Sequence, residues 1–229
     1  MSLAVLEIVD PQLQEAVHVY CRFMEEVKMR LGAIQNTVKQ ITADPKGPDS
    51  ILQCEFAYLQ LRYVCELLAL SALAAQKPYG LTDVLLESFH ARRALNDLSE
   101  INGNCFPRPV KITRADGKIS LDVSDIGALK RKELQRIYDK LGSRLHRGRF
   151  RQAFEGKPPV YDIKALDRWA RKIGSLLSHH AMMLLDHGLI LVVHLTSGPN
   201  GSVQIAISKS DGPAIYVPPT ETPSGEKAA

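Results

Sequence analysis

The chain has 229 residues, of which 45% are hydrophobic and 24% charged, and a formal net charge of +4. That length holds one large domain, or one domain with an appendage, and the composition is that of an ordinary soluble protein. It excludes a disordered chain, a collagen-like chain and a disulfide-stapled miniprotein.

Residues 1–11, MSLAVLEIVDP, have no basic n-region and no cleavage signature, so no signal peptide is expected. Asp10-Pro11 reads as a helix start, an N-cap followed by proline at the first helical position. Beyond it Leu13, Val17, Tyr20, Met24, Val27, Leu31, Ile34, Val38 and Ile41 alternate at four and three residues, the mark of a long helix with one apolar seam. Asp44-Pro45 and Gly47-Pro48 end it. Residues 50–76 predict a second helix, apolar nearly all round, which belongs at the centre of a bundle. Its longest apolar run, 67–75, is interrupted by Ser71 and is far short of the ~20 residues that span a bilayer. No membrane association is expected, and the location is expected to be cytoplasmic. A third helix is predicted over 82–101. The period then changes to two around Ala115-Asp116-Gly117, which predicts a hairpin insert at about 108–124. A fourth helix follows over 129–146, with Leu134, Ile137, Tyr138, Leu141 and Leu145 on one face. Residues 148–159 read as a basic, then Pro-rich, loop. A fifth helix is predicted over 162–186, with His180 on its inward face, and a C-terminal hairpin at about 189–217 turns at Gly198-Pro199-Asn200-Gly201. Ile215-Tyr216-Val217 is a candidate third strand of that hairpin, and 218–229 read as a disordered tail. The expected fold is mainly α, of the α+β kind: a five-helix bundle with two small β-hairpins in a single domain over 1–217.

Two places could carry chemistry. On the second helix Glu55, Arg62 and Glu66 stand at i, i+7 and i+11, within about 40° of one another, so a charged stripe runs down an apolar helix. Buried charges are costly unless paired. Either Arg62 and Glu66 pair along the surface or across a subunit contact, or the stripe lines a pocket where Arg62 offers its guanidinium to an anion.

The second place is the segment 128–151. It holds nine Lys or Arg (Lys130, Arg131, Lys132, Arg136, Lys140, Arg144, Arg147, Arg149 and Arg151) against Glu133 and Asp139, so its +7 exceeds the net charge of the whole chain. Gln135, Asp139, Gly142 and His146 form a stripe there, and Gly142 leaves a notch one turn before the imidazole. A mid-helix glycine costs about 1 kcal/mol against alanine, and the notch is one return for that. An unperturbed imidazole has a pKa near 6.5, which makes His146 the candidate proton-transfer group, and Lys130, Arg131, Lys140, Arg144, Arg147, Arg149 and Arg151 are candidate phosphate contacts. The alternative is a solvated basic helix end favoured by the helix dipole.

The tyrosine, the short helix and the Leu-His followed by basic residues, Tyr138 to Arg149, resemble the last-motif helix of the HEPN superfamily (higher eukaryotes and prokaryotes nucleotide-binding domains). His146 matches the motif histidine, and Tyr138 and Ser143 match common accompaniments. The motif arginine does not match: Leu141 stands five residues before His146, and Lys140 is a cation six before it. The chain also resembles bacterial proteins that pair an R-x-x-x-E helix with a later Leu-His segment, a likeness that brings no activity with it. The HEPN resemblance implies a helical RNA- or nucleotide-binding protein in a bacterial defence or toxin–antitoxin setting; many members of the superfamily are metal-independent RNases and many others only bind, so the resemblance leaves both open, with binding preferred. His146 would then be the general base or acid, and Arg62, with Glu66 beside it, would stabilise the phosphorane charge. No metal and no cofactor are expected. A non-catalytic interaction protein is the competing expectation, a homodimer formed through the first or second helix that docks an acidic partner on its basic segment.

The cysteines Cys21, Cys54, Cys65 and Cys105 form no CxxC pair and have no His at metal spacing, so they read as small apolar fillers. No HExxH, P-loop, GxSxG or GxGxxG occurs, which argues against zinc proteases, nucleoside triphosphatases, α/β-hydrolases and dinucleotide enzymes.

Overall fold

The computed structural model describes residues 2–5, 10–81, 91–115, 118–123, 128–145, 154–156, 160–185 and 188–210. In chain order the elements are β1 (Ser2–Val5), α1 (Pro11–Ala43), α2 (Ser50–Gln76), α3 (Ala91–Ile101), β2 (Arg108–Ala115), β3 (Lys118–Val123), α4 (Arg131–Leu145), α5 (Ile163–Ser178), β4 (His179–Met183), β5 (Leu189–His194) and β6 (Gln204–Ser210). The fold is mainly α with an antiparallel sheet, as the periodicity predicts.

The helix ends follow local chemistry. The Asp10 carboxylate accepts from the Gln12 N–H at 2.9 Å and Pro11 opens α1. Asp162 does the same for α5, accepting from the Ala165 N–H at 2.8 Å. These caps satisfy amides that the first helical turn leaves without a carbonyl. After α2 the chain turns through Lys77-Pro78-Tyr79, and Gly80 takes a left-handed φ of 79° that a side chain would resist.

α1 and α2 form a long antiparallel hairpin. Tyr20, Met24, Val27 and Ile34 of α1 are fully buried, as are Ala57, Leu61, Val64 and Ala72 of α2. α3 and α4 pack on α2, and α5 packs on α1 and α2. The core runs on from the helices into one face of the sheet through Met182, Leu191, Val193 and Ile207.

The two predicted hairpins, β2–β3 and β5–β6, both form, with Ala115 opposite Lys118 and His194 opposite Gln204. They are parts of one sheet rather than separate appendages. β4 bridges them, pairing with β2 at Pro109–His180 and with β5 along its whole length. β1 pairs with β3 and β6, so six strands close into a barrel in the order β1-β3-β2-β4-β5-β6. Val110, Ala181, Ile190 and Val192 form a second small core on the inner face.

The structure corrects the fifth helix. It ends at Ser178, and residues 179–183, predicted helical, are strand β4. The run His179-His180-Ala181-Met182-Met183 is apolar enough to suit either period. Its pairing with β5 decides: His180 and Met182 face the helices while Ala181 and Met183 face the barrel. Residues 82–90 of the predicted third helix, the loop over 148–153 and 157–159, the candidate strand Ile215-Tyr216-Val217 and the tail 218–229 lie outside the described residues.

Candidate functional site

The charged stripe of α2 faces α4 and the segment leading into α5. Glu55 accepts from the Tyr161 hydroxyl at 3.1 Å. Seven residues on, Arg62 reaches across to α4. Its Nε donates to Glu66 Oε1 at 3.2 Å and its Nη2 donates to the Tyr138 hydroxyl at 2.8 Å. The Tyr138 hydroxyl in turn donates to Glu66 Oε1 at 3.1 Å. The guanidinium lies over the Tyr138 ring, 4.4 Å from its centroid. Burial pushes the Tyr138 hydroxyl up, and the Glu66 charge adds to that, so it stays a donor.

Arg62 and Glu66 therefore pair, as one of the two sequence alternatives has it. The pair is half-buried and not merely on the surface, with side chains 28% and 32% exposed. An exposed i, i+4 pair contributes about 0.3–0.5 kcal/mol. The third partner, Tyr138, fixes the geometry that a two-membered pair would leave mobile.

The notch at Gly142 is the key to this arrangement. Gly142 is buried, and a methyl group on it would stand 2.5 Å from Arg62 Nη1. From sequence the notch would accommodate the His146 imidazole; the structure fills it with the guanidinium of the neighbouring helix. Nη1 has no hydrogen-bond partner among the described residues. The fork is thus braced on one side by Glu66 and Tyr138, and Nη1 lies against Gly142.

The other predicted site residues separate into two groups. Lys130, Lys140 and Arg144 are exposed. Lys140 lies over the Trp169 ring at 5.8 Å, and Arg144 donates to the Val160 carbonyl at 3.1 Å. Lys132, Arg136, Lys140 and Arg144 recur every four residues on exposed positions of α4, a cationic ladder about 18 Å long. Arg131 belongs elsewhere: it is half-buried and donates to Asn96 Oδ1 at 2.8 Å, and Gln135 donates to the same oxygen at 2.7 Å, so both fasten α4 to α3. His146, Arg147, Arg149 and Arg151 lie outside the described residues.

Sequence reasoning placed Tyr138 on the apolar face of its helix and missed its hydroxyl as the bridge between Arg62 and Glu66. The one available signal was its place four residues before Gly142. Among the described residues no three His, Cys, Asp or Glu side chains cluster as a metal site. In comparisons with protein-family models, curated proteins and solved structures, the chain matches none.

Proposed function

We propose that this chain is a HEPN-like protein that binds RNA or a nucleotide on α4, with Arg62 contacting phosphate and His146 cleaving RNA without a metal. The observation that carries the proposal is the seat of the Arg62 guanidinium against Gly142. The family motif would have an arginine at position 141, but Leu141 is fully buried in the core and a cation there would be desolvated. A guanidinium from α2 stands at the adjoining position instead. The chain from Gly142 to His146 is four residues long and spans at most about 14 Å. The exposed ladder of Lys132, Arg136, Lys140 and Arg144 supplies further phosphate contacts on the same helix.

In the cleavage step His146 takes the proton from a ribose 2′-hydroxyl. The 2′-oxygen then bonds to the adjacent phosphorus and the bond from phosphorus to the 5′-oxygen breaks, that oxygen taking a proton from water. A 2′,3′-cyclic phosphate and a 5′-hydroxyl result. Arg62 stabilises the charge that accumulates on the phosphoryl oxygens. A cytoplasmic role in bacterial defence or in a toxin–antitoxin pair fits such an activity.

The test is a gel assay on labelled single-stranded RNA and tRNA in EDTA, with wild type, His146→Ala and Gly142→Ala. Wild type is expected to shift the RNA less as salt rises, because phosphate neutralisation releases counterions. Cleavage should vanish in His146→Ala. Gly142→Ala should keep its fold, since alanine favours a helix and Arg62 ends in a flexible tip that can move aside. Its added methyl displaces the guanidinium, so RNA affinity should fall on the order of tenfold, the equivalent of one charged hydrogen bond. Wild type that neither shifts nor cleaves RNA overturns the proposal.

A further inference from the structure

α2 is apolar nearly all round and lies at the centre of the fold, yet one stripe of it remains uncovered. Leu52, Phe56, Leu59, Tyr63, Glu66 and Leu70 follow one another at four- and three-residue steps, within about 80° of arc. Leu52 is 64% exposed, Phe56 45%, Tyr63 37% and Leu70 40%. α1 flanks the stripe on one side, where Arg30 donates to Gln60 at 2.5 Å and lies 4.7 Å over the Tyr63 ring. On the other flank Glu66 is held by Tyr138 and Arg62. A contiguous apolar patch with a polar rim on an otherwise buried helix marks a contact surface.

We propose that this stripe is the interface between two copies of the chain, with the α2 helices crossing antiparallel and Tyr63 at the two-fold axis. Three observations select a second copy as the occupant. The first is charge. Glu66 is the one charged side chain in the stripe and is already paired with Arg62, so the surface has no net field to attract an acidic or a basic partner. The second is self-complementarity, which a two-fold interface requires. About an axis at Tyr63, Phe56 of one copy meets Leu70 of the other, Leu52 meets Ala74, and Glu66 meets the Gln60 amide. A parallel crossing would set Glu66 against Glu66 and Arg62 against Arg62, like charges at close range. The third is area. The four exposed side chains present on the order of 400 Å² per copy. With the rim of Arg30, Gln60 and Glu66, two copies cover on the order of 1,000 Å², the lower bound for a specific contact and the size of a reversible dimer.

The full chain should sediment at twice its 25.4 kDa at about 50 µM. Phe56→Glu should weaken the dimer about 100-fold or more, because the two-fold axis counts each substitution twice, and should leave the melting temperature unchanged at dilutions where the wild type is itself monomeric. Tyr63→Cys should form a cross-linked dimer on mild oxidation, whereas Asn36→Cys, on the exposed side of α1, should not. A wild-type monomer overturns the proposal, as does a dimer that survives Phe56→Glu and fails to cross-link through position 63. A monomer that dimerises only after residues 211–229 are removed also overturns it, and assigns the stripe to the chain's own C-terminal segment.

Discussion

His180 is a fully buried imidazole with both nitrogens engaged: Nδ1 lies 2.9 Å from the Leu177 carbonyl and Nε2 2.7 Å from the Tyr20 hydroxyl. A carbonyl only accepts, so Nδ1 carries the proton, and Nε2 accepts from Tyr20. Burial pushes the imidazole down to about 4, with His194 and His179 adding to the shift, while the Leu177 bond partly offsets it. In the unfolded chain the same group titrates near 6.5. Because the folded value is the lower one, the neutral form's contribution is fully present above about pH 6.5 and is lost as pH falls towards 4. The loss amounts to about 3 kcal/mol. Urea unfolding compared at about pH 7 and about pH 4.5 checks it. His180→Phe, which cannot titrate, should flatten that difference. Tyr20→Phe leaves Nε2 buried without a donor and should cost about 1–3 kcal/mol at neutral pH. From sequence His180 falls on an inward face, and it is buried. Its partner Tyr20, 160 residues away, was not legible, because nothing local links α1 to β4.

The C-terminal end of α2 joins the helices to the sheet through polar atoms rather than apolar ones. Gln76 is fully buried. Its Nε2 donates to the Met183 carbonyl at 2.9 Å and its Oε1 accepts from the Leu185 N–H at 2.7 Å. Asn102, at the end of α3, donates to the same Met183 carbonyl at 2.9 Å. These bonds satisfy the backbone beyond the last pairing of β4 with β2, at Arg108–Ala181. Gln76→Leu keeps the volume and removes both bonds. The Met183 carbonyl retains Asn102, so the orphan is the Leu185 N–H, and the expected cost is about 2 kcal/mol, read as a shift in the urea midpoint with an unchanged slope. The apolar character of α2 marks it as the central helix from sequence. The role of Gln76 was hidden, since a glutamine at a helix end usually faces water.

At the scale of the whole molecule, closure of the barrel depends on the shortest strand. β1 pairs Leu3 with Ile119 on one side and with Ser210 on the other. Without it β3 and β6 become open edges, each a row of unpaired amides and carbonyls that can template association. Deleting residues 1–9 should therefore leave the helical circular dichroism intact, lower the melting temperature and raise light scattering. A deletion variant as stable and as clear in solution as the full chain would show that closure contributes nothing. The barrel is also tied to α1, where Lys28 donates to the Gly201 carbonyl at 2.8 Å and Glu25 accepts from the Val203 N–H at 2.6 Å. Helices and sheet thus share contacts from opposite ends of the chain.

The sequence by itself determined the local events. Asp10-Pro11 starts α1, Asp44-Pro45 stops it, the alternation around 115–117 makes a hairpin, and the apolar composition of 50–76 makes the central helix. Each depends on a few consecutive residues whose backbone preference or period is unambiguous. Tertiary structure decided what two periods could both explain, or what only distant partners supply. Residues 179–183 are a strand because β5 and β2 offer them a ladder. Gly142 is a seat for Arg62 because α2, far earlier in the chain, packs beside α4. One stripe of α2 faces outward because α1 and α4 take the flanks and leave the ridge between them. Side-chain period says which residues share a face, but not which neighbour that face will meet, since that follows from the relative placement of elements far apart in sequence.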